Sequence, residues 1–339
     1  MSVCVTGVNI GFHREDSITY LWYNGVMKRG IIILLLTAAI WGFSLVAQKA
    51  GMDVLGPWSF TGIRCTLAGL SLLPLAVYLD KKRKREEPDY DAKADTVKVI
   101  KPAFLCFIFL EGTTMFQQIG LQWTGVGKGA FITAFYIFLT PLFGLFLKQK
   151  VSGRLWAAVV ISMAGLFLIT MTGPVSSGDM GINMGDFLMF MAAFAYAGYI
   201  HAVDRAGAWN LAKLSGMQLL AIGLTSFVPA AILEPGDITW SNCVGSLIPI
   251  LYSGIVSAAG GFTLQMVGQK YASPGVASII LSSETVFSLF AGWLFFNEIL
   301  TPAEYAGCFV MVIAIALAVV PEKKNEKSSR ESAENNQRT

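Results

Sequence analysis

Ten apolar stretches of about 18 to 26 residues fill the chain from Gly30 to Val320, and the connectors between them carry nearly all its charge. A bilayer core about 30 Å thick needs about 20 apolar residues per spanning helix. With 14% charged residues and a mean hydropathy of +0.59, the chain lies outside the composition of soluble domains. The stretches are residues 30–49, 57–79, 102–123, 129–147, 155–172, 185–203, 211–233, 244–269, 274–296 and 301–320. They are apolar all round, whereas a helix at a soluble surface keeps a polar face. The expected fold class is an all-α integral membrane protein with ten transmembrane helices.

Basic residues fix the expected orientation, because they are retained on the cytoplasmic side. With the N-terminus inside, all but three of the 25 Lys and Arg residues fall in cytoplasmic segments, the run Lys81 to Arg85 among them. The exceptions are Lys49 and Lys128 at outer helix ends and Arg64 within a span. External connectors hold Asp53, Asp179, Glu234, Asp237, Glu298 and Glu304 instead. Both termini are therefore expected in the cytoplasm. The net charge of +3 serves topology and does not point to nucleic acid. Residues 80–101 form the longest connector and are polar enough to be expected partly mobile, and the tail 321–339 is expected to be disordered. Residues 1–29 form a cytoplasmic extension, and Met27-Lys28-Arg29 ahead of the first apolar run suggests a natural start at Met27. The five cysteines lack a CxxC pair and read as packing residues, with no metal or cofactor indicated.

An internal repeat underlies the ten spans. An offset of 148 residues brings Gln117-Gln118-Ile119-Gly120 onto Gln265-Met266-Val267-Gly268, Gly127 onto Gly275 and Gly144 onto Gly292. An offset of 154 brings Ala38-Ala39 onto Ala192-Ala193, Gly69-Leu70 onto Gly223-Leu224 and Arg64 onto Gln218. Two five-helix units are expected, 30–172 and 185–320, joined by an external linker at 173–184. Five is odd, so the second unit enters the membrane from the opposite side. Such inverted repeats underlie alternating access, with the substrate site near the midplane between the halves.

The same stretches resemble the drug/metabolite transporter superfamily, specifically its EamA-type ten-helix permeases. Ala38-Ala39-Ile40-Trp41-Gly42-Phe43-Ser44 is similar to that family's opening helix. Gln117 to Leu121 and Gly129-Ala130-Phe131-Ile132-Thr133 resemble its third and fourth helices, and Val276-Ala277-Ser278 followed by Leu281-Ser282-Ser283-Glu284 its ninth. Ala291 to Glu298 resembles the apolar run closing in Gly-Glu, with Asn297 in place of the glycine. The resemblance implies two inverted five-helix units and export or exchange of small metabolites.

Few ionisable groups sit deep in a span, where a charge costs at least about 2.5–3.5 kcal/mol and is a functional candidate by default. Glu284 and Glu111 lie midway along spans 9 and 3. Glu284, beside Ser282, Ser283 and Thr285, reads either as a substrate or proton-coupling carboxylate or as a neutral hydrogen-bond donor that ties span 9 to a neighbour. Arg64 reads first as a guanidinium tying two helices through a carboxylate; lining a cavity, its planar fork would suit a substrate carboxylate or phosphate. His201 reads as an interfacial side chain. Gln117 and Gln265 match under the repeat and are expected to face each other across the pseudo-two-fold axis. Trp41, Tyr136, Tyr196 and Tyr199 supply midspan aromatic walls, and Pro141 predicts a kink in span 4.

These features point to a secondary transporter of a small metabolite, an amino acid or related compound, in the cell membrane. No GxxxxGK[ST] loop is present, so ATP is not the direct driver. Carboxylates are the titratable groups near the midplane, which makes the proton the expected coupling ion. Membrane lipid and the small-molecule substrate are the expected partners, with no obligate protein partner. The alternative is a multi-pass membrane enzyme acting on a lipid-linked substrate. It would need a juxtamembrane catalytic cluster, and the chain has only two histidines.

Overall fold

The computed structural model describes residues 3–5, 8–10, 16–120, 122–124, 126–171, 183–296 and 299–320. The tail 321–339 and most of the 173–184 linker lie outside these residues. Two short antiparallel strands, Val3–Val5 and Val8–Ile10, precede the helices. All ten expected spans are helical. Spans 1 to 3 are α1 (Asp16–Met52), α2 (Pro57–Glu86) and α3 (Ala92–Gly120). Span 4 is divided into α4 (Val126–Thr133) and α5 (Tyr136–Phe146), and span 5 is α6 (Gly153–Met171). Spans 6 and 7 are α7 (Met184–Arg205) and α8 (Leu211–Leu233). After the short α9 (Trp240–Gly245), span 8 runs as α10 (Leu247–Leu251), a π-helical stretch Tyr252–Gly261 and α11 (Phe262–Gln269). Span 9 is divided into α12 (Pro274–Leu281) and α13 (Glu284–Phe296), and span 10 is α14 (Pro302–Val319).

Local chemistry explains many of the boundaries. Proline opens α2, α12 and α14, where its missing N–H costs nothing. Asn183 with Asp186 and Thr301 with Glu304 form reciprocal capping boxes at the starts of α7 and α14. The breaks in spans 4 and 9 coincide under the 148-residue offset: α4 and α5 begin at 126 and 136, α12 and α13 at 274 and 284. Pro141, where the chain predicts a kink, lies inside α5, and the break in span 4 falls earlier, at Ala134-Phe135. In span 9 Ser282 and Ser283 donate to the carbonyls of Ile279 and Ile280, at 2.7 and 2.6 Å. Such back-bonding competes with the helix ladder and tightens the turn.

The packing is pseudo-symmetric. α1 lies on α11, α12 and α13, while its counterpart α7 lies on α3, α4 and α5, so each half lends its first helix to the other. α2 packs along α8, and α6 along α14. A Cβ on Gly223 would lie 2.5 Å from the Thr66 nitrogen, and one on Gly69 would lie 2.8 Å from the Leu220 nitrogen, so the α2–α8 backbones touch at mirrored positions.

The bundle has a basic end, with connectors 87–91, 147–152, 206–210 and 270–273, and an acidic end, with connectors 53–56 and 234–239. The 80–101 segment is not the mobile connector expected of its polarity, because helix continues on both sides of a short turn. Lys213 Nζ lies 2.9 Å from both Asp80 Oδ2 and Asp95 Oδ2. Asn210 donates to Asp80 Oδ1 and to the Ala76 carbonyl, each at 2.9 Å. The Tyr90 hydroxyl also donates to Asp80, and burial and this bond push its pKa above the usual phenol range, so it remains a donor. At the acidic end, Glu234 accepts from the backbone N–H groups of Trp58 (3.1 Å) and Ser59 (2.7 Å), and Asp237 from that of Gly56 (2.6 Å). The carboxylates thereby cap the start of α2.

The two ends are not equally closed. In the basic half, α12 packs on α5 and α7, and α11 on α7 and α8. The mirror contacts in the acidic half, α4 on α13 and α3 on α1, have no comparable packing among the described residues. The bundle is shut at the basic end and splayed at the acidic end.

Candidate functional site

The splay leaves a cavity of about 110 Å³. Its walls come from the first half: Gln48 on α1, Arg64 on α2, Leu110, Thr113, Thr114 and Gln117 on α3, and Thr133 on α4. Its floor is Trp41, Tyr136, Tyr196, Ser257, Phe262 and Glu284, all near midspan.

The floor is built by the irregular backbone. The breaks in spans 4 and 9 end immediately before Tyr136 and Glu284, which occupy the same position in the two halves (284 − 136 = 148). Gly42 allows α1 to run against the second break, because a Cβ there would lie 2.6 Å from the Glu284 carbonyl oxygen. The π-helical turn presents the Ser257 carbonyl, which accepts from Trp41 Nε1 at 3.3 Å. Trp41 then sits edge-on to Tyr196 and tilted on Phe262, with ring centroids 6.3 and 5.0 Å apart. Tyr136 meets Tyr196 edge to face at 4.8 Å.

The polar groups of this aromatic cup are short of partners. Arg64 is 7% exposed. Its guanidinium lies 5.8 Å from the Phe60 ring centroid, and its Nε has no hydrogen-bond partner. No carboxylate lies within 4.0 Å of it among the described residues, so the anchoring ion pair expected of Arg64 is not formed. Glu284 is likewise without an ion pair among them. The buried hydroxyls of Tyr136 and Tyr196 have no hydrogen-bond partner. The first N–H groups of α5 and α13 are committed: Ile137 and Phe138 donate to Ala134 and Phe135, Thr285 and Phe287 to Ser282 and Ser283.

Of the other sequence candidates, Glu111 lies off the cavity. One of its oxygens accepts from Thr225 on α8 at 3.2 Å, and the other is buried without a partner. Tyr199 and Gln265 lie below the floor, fully buried. Gln117 and Gln265 do not face each other: one lines the cavity, the other bonds Gln269 at 3.1 Å. His201 is buried, not interfacial, with Nε2 2.8 Å from the Thr140 carbonyl. Thr113 and Thr114 carry a readable signal. With Leu110 and Gln117 they recur at i, i+3, i+4 and i+7, one face of α3, and Glu111 lies off that face. Gln48, Ser257 and Phe262 carried no comparable signal, since they reach the cavity through inter-helix packing.

Residues 28–171 and 183–320 each match the EamA-like transporter family. The chain belongs to the EamA-like transporter family. As an EamA-like protein it is similar to an uncharacterized transporter of Archaeoglobus fulgidus, with 27% identity over 84% of this chain and 83% of the relative. It is also similar to the uncharacterized transporter YwfM of Bacillus subtilis, with 22% identity over 86% of this chain and 95% of the relative. A solved crystal structure has the same EamA-like fold, with a TM-score of 0.66 at 16% identity over 85% of this chain and 96% of that one. The protein is a multi-pass membrane protein of a transporter family, and the cavity between its halves is the place to seek a substrate.

Proposed function

We propose that the chain is a secondary carrier that moves a small metabolite of the amino acid class across the cell membrane by alternating access. The basic end faces the cytoplasm, and the physiological direction is export. One observation carries this reading: an unpaired guanidinium and an unpaired carboxylate, Arg64 and Glu284, share a midmembrane cavity open at one end and shut at the other. A buried charge without a partner is costly unless a ligand supplies one. One cation and one anion in an aromatic cup suit a zwitterion, with Arg64 taking a carboxylate and Glu284 an ammonium group.

Glu284 is also the carboxylate placed to carry a coupling proton, because a single side chain cannot hold proton and ammonium at once. Counterflow in proteoliposomes with a panel of amino acids, with and without an imposed pH gradient, tests both parts. Uptake is expected to respond to the gradient in the native chain and to lose that response in Glu284→Gln. Uptake indifferent to the gradient and to the substitution removes the coupling and leaves the carrier. No counterflow with any compound removes the carrier itself.

A further inference from the structure

Two cavity residues have mirror positions in the closed basic half. Arg64 maps to Gln218 by the 154-residue offset, and Gln117 to Gln265 by the 148-residue offset. Neither counterpart lines the open cavity, and both are 0% exposed. Gln218 Nε2 donates to the Tyr199 hydroxyl at 3.0 Å, and Gln265 Nε2 to Gln269 Oε1 at 3.1 Å. The remaining oxygen of each amide, Gln218 Oε1 and Gln265 Oε1, has no partner. Unmet acceptors in a low-dielectric interior are costly. Two of them at mirror positions beneath a substrate cavity mark a site that is satisfied in another state.

We propose that Gln218 and Gln265, with Tyr199 and Gln269, form a second substrate subsite that opens to the basic end when the acidic end closes. The proposal rests on the carrier reading and adds the chemistry of the other side. The free amide oxygens accept from the ammonium or other donor groups of the substrate. Nothing at position 218 repeats the Arg64 charge, so the substrate carboxylate meets a guanidinium only from the acidic side. Two side chains add to the helix packing that closes this subsite: Gln269 Nε2 donates to the Ile200 carbonyl and Lys270 Nζ to the Ala208 carbonyl, each at 3.2 Å.

The test uses the full chain in proteoliposomes, with its native cysteines replaced and one reporter cysteine introduced: Gln117→Cys, Gln265→Cys or Gln218→Cys. A membrane-impermeant thiol reagent is applied from each face. Position 117 is expected to react from the acidic face, and positions 265 and 218 from the basic face. Adding Gln269→Leu is expected to raise the rate at 265 at least about threefold and to lower that at 117, because weakening one closure favours the other. A mixture of common amino acids that supports counterflow is expected to slow labelling at 265 and 218.

Reporters at 265 and 218 that react from the acidic face, or stay unreactive from the basic face in vesicles that perform counterflow, overturn the subsite and leave the carrier standing. Labelling from the basic face that the mixture does not slow overturns it as a binding site. Absence of counterflow, with rates at 117 and 265 both indifferent to Gln269→Leu, removes the carrier reading and this inference with it.

Discussion

In the carrier proposed above, Arg64 is the residue on which substrate recognition turns. Its position in the membrane is costly, its Nε is unsatisfied, and its nearest described aromatic partner is Phe60 one turn away. A guanidinium held this way gains most from a planar anion that takes two of its N–H groups together. Arg64→Gln is expected to weaken apparent substrate affinity in counterflow by about 10- to 150-fold, the equivalent of about 1.5–3 kcal/mol for a charged hydrogen bond. Arg64→Lys keeps the charge but loses the fork, and should recover part of that loss. Affinity unchanged in Arg64→Gln would show that the substrate does not touch this side chain. Glu111, bonded to Thr225 outside the cavity, should behave differently: Glu111→Gln is expected to leave apparent affinity within about twofold, because it keeps an acceptor for the Thr225 hydroxyl.

Among the elements, the α2–α8 pair stands apart because both its ends are fastened at once. Asp80 and Glu234 occupy equivalent positions in the two halves (234 − 80 = 154). The first holds the start of α8 through Asn210 and Lys213, and the second holds the start of α2 through its backbone N–H groups. A gate must be open at one end when it is shut at the other. Two mirror clamps closed together therefore make this pair a fixed strut. Lys213→Met should lower the melting temperature in detergent, since it strands two carboxylates. It should leave the relative labelling at positions 117 and 265 unchanged. A shift in that ratio would make the ion cluster part of the gate after all. Gly223→Ala is expected to destabilise the protein by about 1–3 kcal/mol through overpacking, read as a lowered melting temperature, because the new methyl would meet the Thr66 backbone at 2.5 Å.

For the whole molecule, the informative feature is a broken symmetry. The halves break spans 4 and 9 at equivalent residues, yet only the basic half has closed the contacts of its broken span. Exchanging closed for open contacts would produce the opposite state from the same parts. Gln48 and Gln117 line the cavity from α1 and α3, the two helices that must approach for the acidic end to shut. A rigid thiol-reactive linker between Gln48→Cys and Gln117→Cys should hold that end apart and stop exchange, with recovery on cleavage of the linker. Full cross-linking with unimpaired exchange would mean that these helices do not move relative to each other.

The ten spans, their repeat and the family resemblance were legible in the chain because the bilayer enforces them locally. Every backbone group in hydrocarbon must be bonded within its own helix, so length and hydropathy suffice to find the spans. Arg64 and Glu284 stood out in the chain as charges that are costly in lipid, and both line the cavity, as do Trp41, Tyr136 and Tyr196 but not Tyr199. Other features came only from the tertiary structure. The break in span 4 lies at Ala134-Phe135 and not at Pro141, Arg64 lacks the carboxylate expected of it, His201 is buried, and the 80–101 segment is held by Lys213. Which end stands open was also undetermined by the chain. Two halves of one family unit can close at either end, and such states differ by only a few kcal/mol of contacts between residues far apart in sequence.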